Sequence, residues 1–202
     1  MRDLSIVVAG IAVTMYVNDQ ITNKSEKRDL RLYLNAIVLE LQENIKDIEE
    51  QIKMEQKSFG YAKYLNSVGV KSVTDVKPVS RDTVNSYIDS IYLVQSVTYK
   101  TNAFEMFKLS GTMRLMENKE LILTIWKAYT NMDEVKNLVD MGYQFKLDEA
   151  KKEAELSFAE RQKRIPMYTF YTQTGWTFEF QQHWKATIEM LKETIRQIEE
   201  VL

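Results

Sequence analysis

The chain has no cysteine, two prolines, six glycines and one histidine in 202 residues, and its charges nearly cancel at a net −2. Without cysteine there are no disulfides, thiolate metal sites or cysteine nucleophile; the redox compartment stays open. So few prolines and glycines cannot supply the turns of an all-β domain. They favour long helices, in which few residues interrupt the backbone ladder. A charge balance this even offers no basic surface to neutralise many phosphates, so no nucleic-acid partner is expected.

The single histidine, His183, leaves a triad one possible base and no partner at recognisable spacing. Glu179 stands one helical turn before it, a pair that is more often a surface contact than a metal site. A di-iron bundle needs two Glu-x-x-His units, and the chain has none. There is also no Gly-rich phosphate loop, G-x-S-x-G or H-E-x-x-H. The reading is therefore non-enzymatic: no catalytic residue, no cofactor and no metal.

A long hydrophobic run is nearly missing too. LSIVVAGIAVTMYV, Leu4 to Val17, carries no charge, yet as a helix it covers only about 21 Å of a ~30 Å hydrocarbon slab. Asn18 to Thr22 can extend it, and Arg2 and Lys24 can snorkel, which makes a membrane helix over 1–22 marginally sufficient. A buried strand is the other reading, since Ile, Val and Thr are β-formers. No small-x-small cleavage site follows, so a signal peptide is not indicated. In a membrane, Ala9, Gly10 and Thr14 would let a second helix approach closely.

What the chain has in quantity is helical periodicity. Leu34, Val38, Leu41, Ile45, Ile48, Ile52 and Phe59 alternate steps of mainly four and three, with Lys46, Asp47, Glu49, Glu50 and Lys53 outside the stripe. No Gly or Pro separates Asp19 from Leu34, so leader and stripe form one continuous rod. The stretch 66–80 reads as a connector, with Ser80 an N-cap for a helix that buries Val84, Ile88, Ile91 and Val94 or Val97. In KTNAFEMFKLSGTMRLMENKEL, Asn102 and Glu105 resemble a capping box, Gly111 a helix stop and Asn118 the next cap.

A long helix is predicted from Lys119 toward Arg164, ended by Pro166 and interrupted at Gly142. Its inward face is Leu121, Ile125, Tyr129, Met132, Val135 and Val139. The aromatic tract 167–184 lacks the basic residues that base stacking needs; it reads as core, with a local hairpin at 173–175. Trp184, Ile188, Leu191, Ile195, Ile198 and Leu202 form a last stripe, and stripes at opposite ends of the chain invite antiparallel packing.

Three stretches together resemble an uncharacterised bacterial family of small single-span membrane proteins with a helical body, a domain of unknown function. They are VVAGIAVTMYVND (Gly10, Ile11, Val17, Asn18), YLNAIVLELQEN (Tyr33, Leu34, Glu40, Leu41, Asn44) and AFEMFKLSGTMRLMENKEL. In the third, Ala103, Phe104, Glu105, Lys108, Ser110, Gly111, Leu115, Asn118, Lys119, Glu120 and Leu121 carry the likeness. The chain departs from the family at Gln20 and Ile21 and in its shorter apolar span. The resemblance implies the membrane reading and no activity.

The expectation is thus an all-α protein: a membrane anchor over 1–22 continuing into a long helix, and an elongated antiparallel bundle over 23–202. Its partners would be membrane lipid and proteins or further copies of itself. Lys24, Lys27, Arg28 and Arg31 after the leader place the body on the cytoplasmic side of a single-pass protein. The alternative is a membrane-linked bundle that senses a small ligand near Trp126, Trp176 and Trp184.

Overall fold

A computed structural model describes residues 2–69, 80–92, 98–161, 163–164 and 176–202, with side chains at 22, 24–65, 67, 80–91, 98–161, 163–164 and 181–202. Among the described residues the main α-helices are, in order, α1 Arg2–Gly69, α2 Arg81–Tyr92, α3 Asn102–Leu109, α4 Lys119–Ala154 and α5 Trp176–Glu199. A 3-10 turn, Thr112–Leu115, sits between α3 and α4. No strand occurs among the described residues. The chain is an all-α helical bundle.

The leader is helical despite Gly10, and α1 runs through it without a stop. The buried-strand alternative therefore falls. So does the membrane anchor: among the described residues no helix is long and apolar enough to cross a membrane. The run from Leu4 to Val17 is too short. Widening the window to span length draws in Asp3, Asn18, Asp19 and Gln20, polar groups that favour water over hydrocarbon. This corrects the single-pass location. Ala9, Gly10 and Thr14 lie on α1, and their side chains lie outside the described ones.

Packing follows the stripes. Leu34, Val38, Leu41, Ile45 and Ile48 of α1 are buried in one core with Leu121, Ile125, Tyr129, Met132, Val135 and Val139 of α4 and with Trp184, Ile188, Leu191, Ile195 and Ile198 of α5. A smaller core joins Ala62 and Leu65 of α1 to Val84, Ile88 and Ile91 of α2. Val94, Val97, Pro166 and the hairpin at 173–175 lie outside the described residues. Glu40 faces Tyr129 and Glu55 faces Lys146, so α1 and α4 run in the same direction. Asn131 of α4 meets Thr187 of α5, while Leu121 shares a cleft with Val201; α5 runs against both.

Helix ends show which local signals acted. Ser80 accepts the Thr83 N–H at 3.2 Å, and Asn118 accepts the Leu121 N–H at 3.1 Å, as N-caps do. Gly111 adopts φ 71, the left-handed backbone that lets α3 end and the 3-10 turn begin without Cβ strain. Two expectations for α4 fail. Gly142 does not interrupt it and is buried within the helix. The helix stops at Ala154 instead of continuing to Arg164. Ser157 and Glu160 form a reciprocal capping box, with Ser157 N–H to Glu160 at 2.8 Å and Glu160 N–H to Ser157 at 3.4 Å, which restarts the helix at 158.

Candidate functional site

Of the polar side chains buried on α1, Glu40 and Asn44 stand one turn apart within the main core. Asn44 accepts the Lys100 N–H and donates to the Lys100 carbonyl, both at 2.8 Å, as a neighbouring strand would. Glu40 accepts the N–H groups of Ala103 at 2.7 Å and Phe104 at 3.3 Å, and the Tyr129 hydroxyl at 2.6 Å. Those amides are the open donors of the first turn of α3. The capping box expected from Asn102 and Glu105 is absent. Thr101 stands at the N-cap without a side-chain bond, and Glu105 pairs with Lys108 at 2.6 Å. A carboxyl group distant in sequence caps α3 in its place.

The clasp is extended by rings and charges. Phe104 stacks on Tyr129 with centroids 4.2 Å apart and 9° between planes. Lys100 reaches Glu43 and Asp47, each at 3.3 Å. Tyr99 is buried in the same core as Trp184 of α5. α1, α3, α4 and α5 therefore meet around one short segment. Chemically this is a fastening. The Glu40 oxygens are occupied by three protein donors and lie out of solvent, whereas a catalytic acid must reach a substrate atom.

Burial raises the hydroxyl pKa of Tyr99 and Tyr129 well above the ordinary 10.0; the nearby Glu40 adds to the shift at Tyr129. A raised pKa gives stability that is present below the unfolded value and lost as pH rises. Stability should fall above pH 10 by about 1.4 kcal/mol per pH unit for each such tyrosine. In a spectrophotometric titration, most of the 11 tyrosines should ionise gradually, with these two appearing only as helicity is lost. Smooth ionisation of all of them with helicity intact would refute their burial.

A second ionic cluster lies between α1, α2 and the end of α4. Lys146 holds Glu55 at 2.9 Å. Arg164 bridges Glu149 at 2.9 Å and Glu153 at 2.8 Å, both carboxylates buried, and Lys152 reaches Glu149 at 2.7 Å. The bond from Lys152, followed by that from Arg164, holds the Glu149 carboxyl below the usual carboxylate range. This pairing draws the segment after Ala154 back onto α4.

Of the residues considered for chemistry, His183 is exposed on α5. Among the described residues no three of His, Asp and Glu converge as a metal site would need. Trp184 is core, whereas Trp126 is half-exposed beside Phe104 and Lys108; the Trp176 side chain lies outside the described ones. The sequence pattern missed Glu40 and Asn44 as buried groups. Their signal was available: two polar residues at i, i+4 on the side of α1 that the stripe assigns to the core. Comparison with family models, curated proteins and solved structures gives no match.

Proposed function

We propose that the chain is a non-enzymatic interaction subunit, an elongated antiparallel bundle that assembles with a second copy of itself through the outer face of α4. One observation carries the reading. Leu123, Trp126, Leu138 and Met141 are exposed, Met141 by 62%. They fall on one stripe with Thr130 and Glu134, opposite the buried stripe of Ile125, Met132 and Val139. A helix with two apolar faces has one left over after its own core is built.

The stripe spans about 27 Å at ~1.5 Å per residue. A standard interface buries ~800 Å² on each partner, more than one helical stripe supplies, so the association should be weak and concentration-dependent. In support of the non-enzymatic part, the buried polar groups Glu40, Asn44 and Glu149 all serve backbone or ion-pair contacts.

Sedimentation velocity across about a hundredfold concentration range should show reversible dimerisation in the upper micromolar range. Leu123→Glu with Met141→Glu should hold the protein monomeric at unchanged helicity, since both sites are exposed. A wild-type monomer at every concentration would refute the reading.

A further inference from the structure

At the end of the bundle away from the second ionic cluster, α1, the start of α4 and the end of α5 enclose a cleft of about 330 Å³. Leu34, Met116 and Leu121 form its buried floor, and Leu30, Leu115 and Val201 complete the apolar wall. Its size lies at the lower end of small-ligand sites, ~300–1,000 Å³. Two cations stand over it. Lys27 and Arg31, one turn apart on α1, line the cleft, and among the described residues neither belongs to an ion pair.

The other charges at the cleft do not cancel them. Glu117 is the one carboxylate on the lining. Glu26, on the same helix as the cations, is taken by Arg114 at 3.3 Å. Lys119 adds a third cation next door, its ammonium on the Met116 carbonyl at 2.7 Å. The first turn of α4, capped by Asn118, adds its partial positive charge at the same edge. An apolar floor beneath a rim whose two cations outnumber its one carboxylate is complementary to a small molecule with a greasy body and one anionic end.

We infer that this cleft binds an amphipathic monoanion, an alkyl or aryl carboxylate whose hydrocarbon part lies on Leu34, Met116 and Leu121 and whose carboxylate meets Lys27 and Arg31. The site is on the opposite side of α4 from the stripe that carries self-association, and it does not depend on that reading. It also places ligand binding away from Trp126 and Trp184, where the sequence suggested it.

The test is isothermal titration calorimetry of the full chain with three probes: octanoate, octan-1-ol, which keeps the tail and drops the charge, and acetate, which keeps the charge and drops the tail. Octanoate should bind saturably at one site, octanol about tenfold or more weakly, and acetate not measurably. Lys27→Gln with Arg31→Gln should weaken octanoate about tenfold and leave octanol unchanged. Both positions are exposed, and Gln matches Lys and Arg in helix propensity, so the melting temperature should hold. A second variant, Leu34→Met with Leu121→Met, should alter octanoate and octanol alike. The inference is overturned by an absence of saturable octanoate binding, by equal affinity for octanol, or by the charge variant binding octanoate as the wild type does.

Discussion

Replacing Glu40 by Ala is expected to destabilise the fold by about 3–5 kcal/mol, a large part of the 5–15 kcal/mol typical of a domain. The substitution removes no large apolar volume. It removes the acceptor of three donors, the amides of Ala103 and Phe104 and the hydroxyl of Tyr129, which are held where water cannot replace it. Each buried donor left without a partner costs ~1–3 kcal/mol, and the three are coupled, so the sum is smaller than three separate losses. The N-terminus of α3 should then fray. Phe104, stacked on Tyr129, should lose its fixed position.

Glu40→Gln, which keeps one oxygen acceptor, should cost about half as much. A double-mutant cycle of Glu40→Ala with Tyr129→Phe should show a coupling of about 1–2 kcal/mol, since each single variant orphans the group that the other removes. Urea unfolding followed by circular dichroism measures all of these. Glu40→Ala within about 1 kcal/mol of wild type would mean that α3 does not depend on the clasp.

Arg164→Ala is the second large effect, expected at about 3 kcal/mol near neutral pH, because it removes the cation shared by the buried carboxylates of Glu149 and Glu153 and leaves Glu149 to Lys152. Its pH dependence distinguishes an ion pair from simple packing. The Glu149 carboxyl is held below its ordinary 4.5, by Lys152 first and Arg164 after it. A depressed pKa contributes stability that is present above the unfolded value and lost as pH falls through the folded one. The gap between wild type and variant should therefore be widest above pH 4.5 and narrow in more acidic solution. Lys152→Ala, which removes the more exposed partner, should cost less because solvent screens it. A gap for Arg164→Ala that stays constant with pH would show that the arginine acts through its packed stem.

Much of the architecture was legible before any coordinates. The four-three stripes of α1, α4 and α5 name their buried residues because a 3.6-residue period can turn only one face to a neighbour. Ser80, Gly111 and Asn118 mark helix ends because their effect is exerted within one turn. The leader shows the limit of such reasoning. Its pattern left helix and buried strand open, and the coordinates chose the helix; the step from apolar helix to membrane span failed on length. A length deficit of about 9 Å against a ~30 Å slab is not recovered by flanking residues that include Asp3 and Asp19.

The end of α3 and the end of α4 show a second limit. The capping box expected from Asn102 and Glu105 does not form, whereas Ser157 and Glu160, which were expected to lie inside a continuous helix, do form one. At α3 the amides are claimed by Glu40, which arrives from a helix more than sixty residues away and brings a hydrogen-bonded tyrosine with it. A local side chain loses to a buried carboxyl that stays unsatisfied unless it caps. The same competition explains why Glu105 turns outward to Lys108.

By itself, then, the sequence determined that this chain is helical, which residues its helices bury and that it holds neither thiol chemistry nor a second histidine, since each of these follows from residue type or from neighbours within a turn. The parallel course of α1 and α4, the clasp of Glu40 and Asn44, the bridging of two acids by Arg164 and the cationic rim over an apolar cleft were decided only in the tertiary structure. Each depends on which surfaces meet when remote segments pack, and hydrogen bonds and ion pairs across such a meeting have no period along the chain.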